Sequence, residues 1–183
     1  GNRYFASVGY NAVMLLNVPP NNKGTIDEDI LDRVIEFGEN INETFGKNMA
    51  KDAEIKASEV RGNDVTYSPA NVLDGDASTY WTVEDGSTSG SLLIDLGEVK
   101  AFDVVSIEES IEFGQRITSF SVEVSKDGTK WETMKEGTTV GSKRLCRTAP
   151  VKAQYVKITV ATDDTNVFMS SRNEAVELKD TVP

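Results

Sequence analysis

Eight consecutive residues, Asp74-Gly-Asp-Ala-Ser-Thr-Tyr-Trp81, hold the most concentrated chemistry in the chain. Asp74 and Asp76 supply carboxylates, Thr79 a hydroxyl and the loop several carbonyls, the all-oxygen donor set that a hard cation such as calcium takes. The same residues have a second reading without a metal, in which Asp74-Gly-Asp76 forms a solvated Asx turn and Thr79 fixes the loop. A later segment, Ser125-Lys-Asp-Gly-Thr-Lys-Trp131, reads as a hairpin connection, because Asp127-Gly128 supplies the positive φ values that a tight turn demands. Covalent catalysis finds little here. The chain has no histidine and one cysteine, so a Cys-His pair is impossible. No Gly-x-Ser-x-Gly elbow, phosphate loop or dinucleotide glycine motif occurs.

The elements that must position these residues change character near residue 50. Before it, Ala12 to Val18 is an apolar run predicted as a strand, stopped by Pro19-Pro20. Ile30, Leu31, Val34, Ile35, Ile41 and Phe45 then recur at helical spacing, with Asp32, Arg33, Glu36, Glu39 and Asn40 on much of the other face. Thr25 and Glu28 are spaced as a capping box, and Asp27, Glu28 and Asp29 put negative charge at the positive end of the helix dipole. A continuous apolar strand is normally covered on both faces, so this strand and helix read as the end of an α/β unit. After residue 50 the signals are strands and turns. Leu92 to Leu96 ends at Gly97, Val104 to Ile107 follows, and Phe120, Val122 and Val124 alternate with polar neighbours. Val156, Ile158 and Val160 alternate with Tyr155, Lys157 and Thr159, and this spacing of short strands predicts a sandwich or barrel.

Composition bounds the function. With 30 acidic and 19 basic residues among 183, the formal charge is −11, which disfavours nucleic acid and anionic membranes as partners. No apolar run approaches the roughly 20 residues of a membrane span. Cys146, alone in the strand-like Arg144-Leu-Cys-Arg147, reads as a small buried hydrophobe. Trp81 and Trp131 read as packing residues beside turns.

Three pieces in order, Asn71 to Trp81, Leu93-Ile-Asp-Leu-Gly97 and the Ser-x-Asp-Gly-x-x-Trp hairpin, resemble the discoidin-like, coagulation factor 5/8 type C family. In bacterial enzymes this family overlaps carbohydrate-binding module family 32. A narrower resemblance covers the whole chain. Leu15-Leu-Asn-Val-Pro-Pro20 with Asp32-Arg-Val-Ile-Glu-Phe-Gly38, then Glu109 to Arg116 and Gly137 to Arg144, look like the C-terminal part of the α-L-fucosidases of glycoside hydrolase family 29. The resemblance implies a mainly β fold: residues 49–183 as a galactose-binding-like jelly-roll β-sandwich, preceded by residues 1–48 as the last strand and helix of a TIM-type (β/α)8 catalytic barrel. It also implies an exported parent, periplasmic or extracellular, whose signal lies upstream. The family's two catalytic carboxyls, about 5 Å apart in a retaining enzyme, match no position here. The chain is therefore expected to be inactive alone.

Site residues follow from the same resemblance. A structural calcium would be held by the Asn71 carbonyl, the Asp74 side chain, the Asp76 carbonyl and Thr79. Ala175 stands where the closing glutamate is expected, with Glu174 as the substitute and Glu177 beside it. Sugar recognition wants an aromatic face and groups for paired hydrogen bonds to hydroxyls. Gln115, Arg116, Lys143 and Arg144 are the polar candidates, with Glu112, Glu84 and Tyr67 as neighbours, for glycans containing fucose or galactose. Alternatively Arg116 pairs with Glu109 or Glu112, while Lys143 and Arg144 guard a strand edge. Three roles stay open: a carbohydrate-binding module, a purely structural brace for the upstream barrel, and a protein-adhesion sandwich that would expose a large apolar patch.

Overall fold

The alternation of Phe120, Val122 and Val124 places one face of a strand inward, and in the computed structural model these three residues are buried in β4 (Ile117–Ser125). The structure describes residues 2–163, 168–170 and 176–179. Two antiparallel sheets make up the sandwich. The larger runs β1 (Glu54–Ala57), β3 (Ser89–Ile107), β6 (Arg144–Thr162), β4, β5 (Glu132–Gly137), with β8 (Val176–Lys179) also on β3. The smaller pairs β2 (Tyr80–Thr82) with β7 (Phe168–Ser170). Trp81 and Met169 from the small sheet meet Leu92, Ile94, Phe102, Ile107, Val156 and Ile158 from the large one in a single core.

The two segments predicted as separate strands, Leu92 to Leu96 and Val104 to Ile107, belong to one strand, β3. It is broken in register between Asp95 and Lys100 and again between Phe102 and Val104. Gly97 sits at the first break with φ 77°, and the Asp95 carboxylate accepts its N–H at 2.8 Å. The break lets the first half of β3 pair with β1 and the second half with β8.

The N-terminal residues differ from expectation. The predicted helix is present as α2 (Glu28–Phe45). Its capping box does not form: Asp27 occupies the N-cap without a capping bond, its carboxylate accepting from Asn21 Nδ2 at 2.8 Å, while Thr25 exchanges hydrogen bonds with the same Asn21. The predicted strand over Ala12 to Val18 is not a strand. Residues 12–20 carry no regular structure, with Val13 and Leu15 each 92% exposed. A strand needs a neighbouring edge to satisfy its backbone, and no described strand comes alongside. A short helix that the sequence pattern did not announce, α1 (Asn2–Ser7), precedes this run and stacks Tyr4 and Phe5 on Phe45 of α2.

Candidate functional site

The oxygen-rich loop is shaped by its own hydrogen bonds. A short 3-10 turn, Pro69–Val72, leads into it, and the Asn71 side chain ties its two ends by donating to the carbonyls of Thr66 (2.8 Å) and Tyr80 (2.9 Å). Gly75 takes φ 78°, a left-handed conformation that glycine adopts without strain. Asp74 Oδ1 accepts the Asp76 N–H at 2.8 Å, and Asp76 Oδ1 accepts the Ser78 N–H at 2.8 Å, so both Asx turns form. That Ser78 N–H holds the Asp76 carboxyl below its ordinary 3.8. Thr79 Oγ1 lies 2.6 Å from Asp74 Oδ2 and 3.1 Å from the Asp76 carbonyl, so two of the predicted oxygens converge on the hydroxyl of a third predicted residue. Their chemistry suits a hard cation. Among the described residues no three or more acidic or cysteine side chains are placed together so that they could hold a metal ion. Glu174 lies outside the described residues.

Beside this loop, β2 sends Trp81 into the core and Tyr80 outward. The Trp81 indole donates to the Glu59 carbonyl at 2.9 Å, and its ring lies so close to Gly90 that an added Cβ would meet Cη2 at 2.8 Å. The Tyr80 ring packs 5.4 Å from Tyr67 and 5.0 Å from Phe113. Burial, with help from Tyr67, raises the Tyr80 hydroxyl above its ordinary pKa. Arg61 lies over the Tyr67 ring and pairs with Asp85, while Glu84 accepts the Gly62 N–H. Phe113 accepts the Arg116 Nε–H at its carbonyl, 2.9 Å away. The structure thus brings Tyr67 and Glu84 together with the loop that carries Glu112, Gln115 and Arg116. Val65, Ile111 and Phe113 are exposed around it. The sequence reading missed Tyr80, Phe113 and Arg61. Alternation beside the buried Trp81 was the available signal for Tyr80.

Lys143 and Arg144 are engaged elsewhere. Lys143 Nζ is 2.8 Å from Glu108, a carboxylate buried to 1% exposure, and the Arg144 guanidinium lies 4.1 Å from the centre of the Tyr10 ring. Arg147, next along β6, covers Phe5 and pairs with buried Asp103 at 3.6 Å. Asn11, with φ 65°, inserts its side chain between these elements. Its Nδ2 donates to the Val140 carbonyl at 2.9 Å, and its Oδ1 accepts the Lys143 N–H at 2.7 Å and the Ser142 hydroxyl at 3.2 Å. The Gly9 carbonyl accepts the Leu145 N–H. Residues 5–11 are therefore fastened to the start of β6, a contact invisible to any local pattern. Glu109, considered above as a partner for Arg116, instead accepts backbone N–H groups from Arg116, Ile117 and Gly141. In the Asp-Gly hairpin only Gly128 takes positive φ, 74°, and Asp127 accepts the N–H groups of Thr129 and Lys130. Trp131 is half-buried beneath Lys157. Cys146 is buried, which pushes its thiol up to about 11.

Comparison with known proteins now decides the family. The F5/8 type C domain model matches residues 54–175. This chain belongs to that family. It matches the C-terminal part of GH29 α-L-fucosidases. A Ruminococcus gnavus GH29 fucosidase in complex with fucose is 49% identical with a TM-score of 0.93, over 99% of this chain and 36% of that one. A structure described as a putative alpha-L-fucosidase from Bacteroides thetaiotaomicron is 32% identical with a TM-score of 0.90, over 100% and 39%. "Putative alpha-L-fucosidase 1" of Oryza sativa subsp. japonica is 39% identical over 159 residues, 86% of this chain and 31% of that protein. The chain spans about a third of the length of these proteins.

Proposed function

We propose that this chain is the accessory C-terminal part of an exported, periplasmic or extracellular α-L-fucosidase-like glycoside hydrolase, and that its first task is to brace the catalytic barrel. In this reading residues 1–48 complete the (β/α)8 barrel and residues 49–183 are the sandwich docked against it. The observation that carries the reading is the fastening of residues 5–11 to β6 through Asn11, Tyr10 and Phe5, next to a segment whose apolar side chains stay uncovered. The likeness to the R. gnavus fucosidase spans 99% of the chain, so it includes this fastened segment. The catalytic carboxyls of the complete enzyme, acting on terminal α-L-fucose, belong upstream. The test is a graft: the matching region of the R. gnavus fucosidase is replaced by this chain, and release of fucose is assayed. A soluble graft that hydrolyses fucosides supports the brace. A graft that folds without activity, while the R. gnavus enzyme is active in the same assay, contradicts it.

A second role for the same module is favoured by the Tyr67, Tyr80 and Phe113 rings beside Arg61, Glu84, Gln115 and Arg116, a pairing of aromatic faces with planar polar groups that suits a sugar. There a weak contact with fucose or galactose units raises the local concentration of glycan near the barrel. A structural calcium held by Asp74, Asp76 and Thr79, with Asn71 and Glu174, would fix the loop at the foot of Tyr80. Calorimetric titration with fucosylated and galactosylated oligosaccharides, with calcium and then with chelator, tests both. Saturable binding lost on Tyr80→Ala and weakened by chelator is the expected outcome. Heats of dilution alone in both conditions would remove the sugar role and leave the brace.

A further inference from the structure

Glu109 lies at the root of the loop that carries Phe113 and Arg116, and it is 2% exposed. Its Oε1 accepts the N–H groups of Arg116 and of Ile117 (2.9 Å), at the exit of that loop. Its Oε2 accepts the Gly141 N–H at 3.1 Å, and its own N–H donates to the Gly141 carbonyl at 2.9 Å. One buried carboxylate thus joins two loops that are distant in sequence. A buried carboxylate is costly unless its oxygens are occupied, so these bonds hold as a group.

Gly141 is gripped from its other side by the N-terminal segment. Asn11 bonds Val140, Ser142 and Lys143, the residues flanking the glycine, and approaches so closely that a Cβ on Gly141 would meet Asn11 Nδ2 at 2.5 Å. Beyond Glu109, the Arg116 side chain closes on the Phe113 carbonyl and the Phe113 ring rests on Tyr80. We infer that Glu109 is a positioning residue that couples docking of residues 5–11 to the placement of the Phe113–Arg116 loop, through Asn11, the 140–143 loop and Gly141. The aromatic end of the sandwich is then set in place only when the preceding segment is seated. The inference extends the bracing reading, whose own test is the graft, and is decided in the 183-residue chain without any enzyme.

Hydrogen exchange of individual amides, read by NMR, provides the test. Asn11→Ala should lower protection of the Lys143 amide and, across Glu109, of the Arg116 and Ile117 amides by about tenfold, the loss expected when one charge-assisted bond loses its support. Amides of Ile158 and Val160 in β6 should not change. Glu109→Gln replaces one accepting oxygen with an amide NH2 that cannot accept, so it severs one of the two grips. On that background Asn11→Ala should leave Arg116 and Ile117 as Glu109→Gln alone leaves them. A loss confined to Lys143 in Asn11→Ala overturns the coupling, as does an equal further loss at Arg116 and Ile117 with Glu109→Gln in place. If Asn11→Ala also lowers Ile158 protection, Asn11→Asp, which keeps the accepting oxygen and removes the donor to Val140, is read by the same criteria.

Discussion

Val156, Ile158 and Val160 in β6 and Ile30, Leu31, Val34 and Ile35 in α2 are patterned with equal regularity, yet they end in opposite environments. The three strand residues are fully covered between the two sheets, whereas α2 buries no side chain, and Leu31 and Ile35 stay exposed. The sandwich carries its own core. The N-terminal segment borrows what stability it has from a few fastenings: Phe5 and Tyr10 on arginines, Asn11 on the 140–143 loop, and the Tyr4, Phe5 and Phe45 rings on one another. An amphipathic pattern specifies a face, and whether the face is covered depends on what else is present.

The contrast can be broken or sharpened by mutation. Trp81→Ala removes the largest buried side chain of the sandwich and should cost about 3 to 5 kcal/mol in urea unfolding. Lys143→Ala leaves the Glu108 carboxylate buried beside a lost cation, and a destabilisation of about 2 to 4 kcal/mol is expected, partly recovered by adding Glu108→Gln. Recovery would identify the lysine as a structural partner, and its absence would point to another role. Gly141→Ala puts a methyl group into the Asn11 side chain at a residue with φ 70°, and a loss of about 1 to 3 kcal/mol with faster proteolysis before residue 45 is predicted. By contrast, Leu31→Ser in α2 should change the stability of this chain by less than about 0.5 kcal/mol, since the side chain is already exposed. A larger loss would mean that α2 is covered in solution.

The smallest effect concerns pH. The N–H groups of Lys130 and then Thr129 hold the Asp127 carboxyl well below its ordinary 3.8. A carboxyl whose pKa is lowered by folding adds stability above its unfolded value, and that contribution fades as pH falls below about 4 toward the folded value. The stability advantage of the wild type over Asp127→Asn should therefore be constant above about pH 5 and shrink in stronger acid. An advantage that grows in acid would contradict the assignment of these hydrogen bonds.

Much of the sandwich was legible because its strands announce themselves by period-two burial. Phe120 to Val124 and Tyr155 to Val160 occupy the faces that their alternation predicts, and Trp81 packs where its place beside a turn suggested. The α2 helix was legible by its 3.6-residue period. Ala12 to Val18 was misread because apolar composition indicates what a segment would bury, and a strand forms only beside a partner edge. The fusion of two predicted strands into β3 was hidden by Gly97, which reads as a stop and serves as a break in register. Asn11 and Glu109 left no local signal. Their partners lie up to 132 residues away, and an asparagine or glutamate looks the same in sequence whether it faces water or backbone. Tyr67 and the loop that carries Arg116 meet at one end through the Tyr80 and Phe113 rings, and neither ring was named as a candidate because a single aromatic beside a turn gives no sign in sequence of which ring it will pack on.

Both tryptophans, Trp81 and Trp131, lie in the sandwich, and both α-helices of the described residues precede it. Urea unfolding of the 183-residue chain, followed at once by tryptophan fluorescence and by helical circular dichroism at 222 nm, therefore reads the two regions separately. The account predicts that the helical signal is lost at lower urea than the fluorescence change, as a self-supporting sandwich outlasts a segment waiting for its cover. A single coincident transition would contradict it, and would make residues 2–48 a cooperative part of the sandwich itself.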